Sequence, residues 1–445
     1  MAEKSLWNAG WVFYERKLGE TDYELPTSAL TAWRKIDIPH DWMIDDVHNL
    51  YRDSIGWYRK EFEVNELGED EEICLRFDGI YMDSSIFING NMVGEWKYGY
   101  STFELEITPF LIKGINQVLV RVVYHAPNTR WYSGAGIYRN VWWKKRKKDH
   151  IQSDGIYITP VLDDRKCWHV DVDTEVYFGD GAVEDIYVLK QIICDPSGQV
   201  IAEAEYKAEQ ESDPVFRGEA VFTQQLSGLE NPRLWDIGEG NLYFLTTELW
   251  KNGVLWEKER QSFGFKIMGF LPDQGFLLNG KKTKINGVCE HHDFGCLGAA
   301  FSKEAARKRL LLLRKMGVNA IRTAHNMPAP ELMELTDEMG FLVMSEAFDM
   351  WEKPKTDYDY ARFFSEWYEK DVESWVRRDR NHVSLMMWSI GNEIQDTLDE
   401  KRGMEITRDL RDAVRKYDKR NHAPITLGSN FMKWENPKTA ATKVT

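Results

Sequence analysis

The sequence predicts a multidomain β plus α/β chain: a jelly-roll-like sandwich over residues 1–148, an immunoglobulin-like sandwich over 149–267, and the first part of a (β/α)8 TIM barrel over 268–445. Three observations predict it. Roughly the first 140 residues carry no helical period, and their short apolar runs alternate with polar residues. A second series of such runs then fills about 115 residues, the size of an immunoglobulin-like unit. After Gly275, short apolar runs alternate with helical segments bounded by capping residues, the rhythm of a parallel α/β barrel. The length of 445 residues itself calls for two to four domains.

In the first unit, Ile86-Phe87-Ile88, Phe103-Glu104-Leu105-Glu106-Ile107 and Val118-Leu119-Val120-Arg121-Val122 read as strands. Asn89-Gly90 after the first of them is a strong hairpin signal, because both residues tolerate positive φ. The basic run Lys144-Lys145-Arg146-Lys147-Lys148 follows the strand Val141-Trp142-Trp143 and reads as its solvated exit. The 18 tryptophans, 19 tyrosines and 21 phenylalanines suit sugar rings and sandwich cores alike, and the core is the first expectation. In the second unit residues 169–176 alternate, Ser197-Gly198 and Asn252-Gly253 mark turns, and Asn231-Pro232 breaks the run before Leu234-Trp235. No catalytic constellation is visible there.

In the third unit Ser302 caps a helix expected over 303–316, which Gly317 closes. A strand over 318–323 follows. Pro330 opens the next helix and Gly340 ends it before a strand over 341–345. A helix over 360–380, a strand over 383–390, a helix over 401–417 and a strand over 424–427 continue the series. With 283–288 as the first strand, five strands alternate with four helices. No GxGxxG or GxxxxGK[ST] loop supports a doubly wound sheet, which leaves the barrel.

Composition excludes several functions. With 57 basic against 72 acidic residues the net charge is −15, which repels phosphate backbones and anionic lipid, so neither nucleic acid nor membrane is expected as a partner. Mean hydropathy is −0.51, and no apolar run reaches the ~18–20 residues of a membrane span. Met1-Ala-Glu-Lys-Ser5 lacks the apolar stretch of a signal peptide, so a cytoplasmic location is expected. Cys74, Cys167, Cys194, Cys289 and Cys296 are scattered without CxxC, which argues against a disulfide framework and a structural zinc. They are expected to be reduced and mostly in the core or behind the site.

In a β/α barrel the reacting groups stand at the carboxyl ends of the strands. Four successive ends are polar here: Glu290-His291-His292-Asp293, Arg322-Thr323-Ala324-His325-Asn326, Glu346-Ala347-Phe348-Asp349 and Gly391-Asn392-Glu393. Carboxylates among imidazoles and amides, without a serine elbow, P-loop or HExxH, suit acid–base work on a neutral polyhydroxylated substrate, with glycoside hydrolysis foremost. That reaction needs one carboxylic acid for the leaving oxygen and, where configuration is retained, a second carboxylate about 5–5.5 Å away. Glu393 follows the apolar residues 385–390, where burial would raise its pKa; its alternative role is a structural partner of Arg322. A divalent ion is the competing use of these groups, but adjacent His291 and His292 point to opposite faces and cannot readily share one.

Asn392-Glu393, preceded by Arg378-Asp379-Arg380-Asn381-His382 and Trp388-Ser389-Ile390-Gly391, resembles the acid/base signature of family 2 glycoside hydrolases, the group of β-galactosidases, β-glucuronidases and β-mannosidases. Gly56-Trp57-Tyr58-Arg59-Lys60, Phe87-Ile88-Asn89-Gly90 and Trp131-Tyr132-Ser133-Gly134-Ala135-Gly136-Ile137-Tyr138-Arg139 resemble that family's sugar-binding sandwich. The middle unit resembles its immunoglobulin-like domain, so the likeness spans the chain. The resemblance implies a retaining exo-β-glycosidase acting on terminal β-D-galactosides, with Glu393 as general acid/base and Asn392 on the sugar 2-hydroxyl. It implies that His291 and His325 line the sugar subsite, that Asp349 holds outer hydroxyls and that Trp351 stacks beneath the ring. Arg130 and Trp131 are expected to reach the same pocket from the first domain.

The resemblance implies no required cofactor. The best-known galactosidases of the family bind magnesium through a Glu-x-His pair where this chain has Asp349-Met350-Trp351, so magnesium or sodium stays an open alternative that the motif does not support. The family's nucleophile is a glutamate closing the seventh barrel strand, whereas the roughly 170 residues from Gly275 hold five strands, against ~250 residues for a complete barrel. Trp434-Glu435-Asn436-Pro437-Lys438 reads as a helix cut off in mid-course. The chain is therefore expected to be the amino-terminal part of a longer enzyme, inactive alone. An open fifth strand would invite association, a homo-oligomer included. The alternative activity is β-glucuronidase, disfavoured because Asp349 would repel a uronate; the alternative outside the enzymes is a non-catalytic carbohydrate-binding fragment.

Overall fold

The computed structural model describes residues 3–18, 32–179, 185–208, 218–420 and 422–429. The run Trp434–Lys438 lies outside them. Two antiparallel sheets make the first domain. The larger has the order Arg34–Ile36, Trp11–Lys17, Ser54–Val64, Gly114–Tyr124, Ser84–Ile88, Asn91–Trp96, and the smaller Glu3–Leu6, Val141–Lys147, Glu71–Phe77, Phe103–Glu106. Period-two alternation sends Val118, Val120 and Val122 inward, against Tyr58, Leu75, Phe77, Ile86 and Ile88. Asn89 and Gly90 turn the hairpin with φ of 50° and 84°, as the dipeptide predicts.

The basic run departs from expectation. Residues 144–147 lie inside the strand Val141–Lys147 instead of leaving it. Each charge meets a carboxylate: Lys144 pairs with Glu104 at 3.0 Å, Arg146 with Glu72 at 3.2 Å and Lys147 with Asp70 at 3.0 Å. A strand tolerates such a run because alternate residues face opposite sides and find opposite charges on neighbouring segments.

The second domain packs a three-stranded sheet (His150–Leu162, Trp168–Phe178, Gly218–Leu229) on a four-stranded one (Val200–Ala208, Tyr187–Cys194, Tyr243–Lys251, Val254–Phe263). Its core is Val170, Val172, Leu189, Ile193, Leu226, Leu245 and Leu249. The aromatic content goes largely into cores: Trp11, Trp42, Trp57, Trp235, Trp351, Trp375 and Trp388 are all fully buried. The cysteines are free, but only Cys74 is buried; Cys167, Cys289 and Cys296 are exposed. Cys167 stands beside a turn, Cys296 in the 3-10 helix Gly295–Leu297, and Cys289 on a strand that among the described residues pairs on one side only.

In the third domain five parallel strands, Gly287–Glu290, Ala320–Thr323, Leu342–Glu346, Leu385–Asn392 and Ile425–Gly428, pair in sequence order. Between them run α1 (Lys303–Lys315), α2 (Pro330–Met339), α3 (Ala361–Asp379) and α4 (Glu400–Tyr417). Ser302 Oγ accepts the N–H of Ala305 at 3.2 Å and so caps α1. Gly340 ends α2 at φ 67°, where a Cβ would also lie 2.4 Å from the backbone nitrogen of Gly238. The first strand begins later than the expected 283–288. Asn319 is the reason: its side chain accepts the N–H of Asn286 at 2.8 Å and donates to the carbonyl of Lys284 at 2.9 Å, so the ladder starts only at Gly287 opposite Ala320. Among the described residues the fifth strand pairs on one side only, and no helix is long and apolar enough to cross a membrane.

The domains are fastened by buried polar side chains. Arg139, fully buried, donates to the carbonyls of Tyr100 (2.9 Å) in its own domain and of Met327 (2.8 Å) and Pro328 (3.2 Å) in the barrel. Asp371 on α3 accepts from Trp96 (2.8 Å) and Ser101 (2.7 Å) of the first domain. Asn381 pairs with the backbone of the second domain, accepting from Ile158 N at 2.9 Å and donating to Ile156 O at 2.7 Å. The contacts of Arg139 and Asp371 set the first domain over the carboxyl ends of the barrel strands, and those of Asn381 hold the second domain to the barrel.

Candidate active site

The site is assembled from four barrel strand ends and one loop of the first domain. That loop is fixed by Asp41, whose carboxylate accepts the backbone N–H of Ala135 (3.0 Å) and of Ala299 in the barrel (2.9 Å) and the hydroxyl of Tyr132 (2.6 Å). Gly134 takes φ 64° there, and a Cβ on it would lie 2.4 Å from Asp41 Oδ2, so the close approach requires glycine. The loop delivers Arg130 and Trp131. Trp131 lies over His291 with ring centroids 5.0 Å apart and meets His325 edge-on at 5.6 Å.

Two buried carboxylates organise the barrel side. Glu346, at the end of the third strand, accepts from Arg322 Nε and Nη2 (3.0 and 2.9 Å), from His325 Nδ1 (2.6 Å) and from the Ser389 hydroxyl. Asp349 accepts from Arg130 Nη2 (2.8 Å), Lys355 Nζ (2.8 Å) and Asn392 Nδ2 (2.7 Å). Asn392 links the two groups, because its Oδ1 also accepts from Arg322 at 2.7 Å; one N–H and one lone pair of its amide remain. Glu393 follows in the left-handed region at φ 47°, and its Oε2 accepts from Arg130 Nη1 at 3.1 Å.

The structure brings together Glu393, Asn392, Asp349 and Arg130, with His291, His325 and Trp131 in mutual ring contact. Burial first, and the neighbouring His325 second, hold His291 below the ordinary imidazole value. His292 turns to the other side, against Tyr100 and the carbonyl of Ser133 (2.9 Å), and burial takes it down to about 4.

Two expectations need correction. Trp351 is 0% exposed, with its indole N–H on the carbonyl of Ile390 at 3.0 Å and its ring on Phe364, so it packs under the site and offers no face to a sugar. The Glu393 side chain is 36% exposed, because the left-handed turn carries it out of the apolar strand that was expected to bury it; its arginine is Arg130 and not Arg322. Lys355 was not anticipated. It comes from the loop after the third strand, donates to Asp349 and to the carbonyl of Asn392 (2.8 Å each), and burial pulls its ammonium below the ordinary lysine value.

Among the described residues no group of three His, Cys, Asp or Glu side chains is arranged to hold a metal ion. Glu346 and Asp349 each already face an organic cation, and Met350 and Trp351, beside Asp349, are buried apolar groups.

Three family models match consecutive blocks of the chain: the sugar-binding domain of glycosyl hydrolases family 2 over residues 25–157, a further family 2 domain over 150–266, and the family 2 TIM barrel domain over 271–432. A β-galactosidase of Bacteroides ovatus is 42% identical over 405 residues, 88% of this chain and 46% of that protein. A β-glucuronidase of Bacteroides fragilis is 28% identical over 89% of this chain and 58% of its own length. The crystal structure of a family 2 member from Bacteroides cellulosilyticus matches with a TM-score of 0.88 at 32% identity, over 99% of this chain and 57% of that one. The chain thus spans about half the length of these relatives.

Proposed function

This chain belongs to glycoside hydrolase family 2, and from that premise we propose that it is the acid/base-bearing part of a retaining exo-β-glycosidase that removes terminal β-D-galactosyl units. The observation that carries the reading is the Glu393 carboxylate at the mouth of the fourth strand, held with Asp349 by one guanidinium from the first domain. In the proposed reaction Glu393 gives its proton to the leaving oxygen. It then takes a proton from the water that opens the glycosyl-enzyme intermediate. Asn392 addresses a sugar hydroxyl with its remaining amide N–H, Asp349 holds Asn392 and Arg130 in place for that contact, and Trp131 with His291 and His325 forms the wall beside the ring.

Retention needs a nucleophilic carboxylate as well. Glu346 and Asp349 are poor candidates, since each is enclosed by two or more donors. We assign the nucleophile to a carboxylate outside the described residues. Galactoside is favoured over glucuronide because the positive charges of Arg130 and Lys355 are already engaged by Asp349 and Glu393 and are not free to receive a uronate carboxylate.

The test uses the full-length protein with aryl β-D-galactoside and aryl β-D-glucuronide, with the anomer of the first product followed by NMR. The expected result is a galactoside preference with retained configuration, and a loss of roughly 10²–10⁴ in kcat for Glu393→Ala. A uronide preference or an inverted product would overturn it. Galactose binding with no turnover of any glycoside would favour the carbohydrate-binding reading.

A further inference from the structure

We propose that Lys355 is a positioning residue for the acid/base glutamate, an inference that rests on Glu393 holding that role. Lys355 is 5% exposed in its side chain, so it acts through its neighbours. Its ammonium lies 2.8 Å from the carbonyl oxygen of Asn392, the residue immediately before Glu393, and 2.8 Å from Asp349 Oδ1.

The peptide between Asn392 and Glu393 is thereby held at both ends. Its oxygen accepts from Lys355, and its N–H donates to the carbonyl of Gly428 at 2.6 Å. That peptide matters because Glu393 stands at φ 47°, a region that residues with a Cβ rarely adopt. Releasing the carbonyl lets the peptide turn toward an ordinary conformation, and the Glu393 side chain then leaves the strand in another direction. A side chain that must place a proton on one oxygen loses most of its effect when its geometry shifts by about an ångström.

The loop that carries Lys355 is built for the task. Asp359 accepts the backbone N–H groups of Lys355 (2.7 Å), Thr356 (2.9 Å) and Ala361 (3.0 Å). Asp396, three residues past Glu393, accepts from Lys353 N at 3.2 Å. Tyr358 donates its N–H to the carbonyl of Pro127 at 3.0 Å and stacks on His125 at 4.8 Å, which ties the loop to the first-domain segment that continues into Arg130. Lys355 and Arg130 therefore meet Asp349 from one braced unit.

The experiment compares kcat/KM of the full-length enzyme and its Lys355→Met and Lys355→Arg variants on two aryl β-galactosides, dinitrophenyl, whose departure needs little protonation, and phenyl, whose departure needs much. If Lys355 positions the acid, Lys355→Met loses about 10–100-fold on the phenyl substrate and only a few-fold on the dinitrophenyl one, a part of the 10²–10⁴ that general acid catalysis supplies. Lys355→Arg, which keeps the charge but replaces the compact ammonium by a larger planar group, loses less with the same bias. Thermal melts establish folding, and if the methionine variant does not fold the arginine variant decides by the same ratio. Equal losses on both substrates, or none, overturn the proposal. Glu393→Gln is the control: a biased loss there with none at Lys355 sinks the positioning role alone, whereas no bias at Glu393 sinks the acid/base reading and this proposal with it.

Discussion

Replacing Asp371 by asparagine tests how the first domain is held to the barrel. Asp371 sits on α3 at 0% exposure and accepts from Trp96 Nε1, Ser101 Oγ and the Tyr360 hydroxyl, with no cation among those partners. Burial raises its carboxyl to about 7 despite the three donors, whereas in the unfolded chain it titrates near 3.9. Between those values the folded state holds the proton and the unfolded state does not. The stability it contributes is therefore full below about 4 and lost as pH rises through about 7. From pH 5 to pH 8 roughly two units of that window are crossed, on the order of 2–3 kcal/mol. Asparagine has the same outline and no titration, so the stability gap between the parent chain and Asp371→Asn narrows by that amount over the same interval. The gap is the quantity to measure, by urea unfolding followed through tryptophan fluorescence at both pH values. The parent curve alone would mislead, because His150 and His292, each lowered by burial to about 4, add stability as pH rises from about 4 to 6.5. They cancel in the difference. A gap that stays constant or widens toward pH 8 refutes the assignment of a buried, protonated Asp371.

Two further substitutions probe the frame around the site. Arg139→Met removes donors from the carbonyls of Asp78, Tyr100, Met327 and Pro328 and should cost about 3–5 kcal/mol in urea unfolding, with lysine a poor substitute because a single ammonium cannot span those positions. Gly134→Ala places a methyl 2.4 Å from Asp41 Oδ2 at φ 64° and should cost about 1–3 kcal/mol; limited proteolysis should then find the segment carrying Arg130 and Trp131 more accessible, and an unchanged digestion pattern would count against its role as the loop's anchor.

What the sequence made legible was local. The Asn89-Gly90 hairpin, the Ser302 cap and the Gly340 stop depend on residues a few positions apart, and each stands where the pattern puts it. The strand ends were legible for the same reason, since a barrel fixes which end of a strand carries chemistry. What was not legible depended on partners distant in sequence. The basic run became part of a strand because Glu72, on the adjacent strand, and Glu104, one strand further in the same sheet, meet its charges. The first barrel strand was shortened by the side chain of Asn319, thirty-odd residues away. Trp351 reads as a sugar platform beside Asp349, yet the helix α3 supplies Phe364 and closes over it. Nothing in Lys353-Pro354-Lys355 signals that one ammonium turns inward to Asp349 and Asn392.

The charge arrangement explains why the first domain belongs to the site and is more than an appendage. A carboxylate taken out of water is costly unless a cation or several donors compensate it. Glu346 is compensated from within the barrel by Arg322, and Asp349 in part by Lys355. Among the described residues Glu393 pairs with no cation but Arg130, which reaches it from the first domain while sharing its other edge with Asp349. Three carboxylates thus meet three cations, and one of those cations is lent across a domain boundary. Arg130 remains 42% exposed, so a substrate can approach this pair where it cannot approach Glu346. The docking contacts of Asp41, Arg139 and Asp371 therefore set the geometry of Glu393 indirectly: a shift of the sandwich moves Arg130, and with it the charge facing the carboxylate proposed to handle the proton.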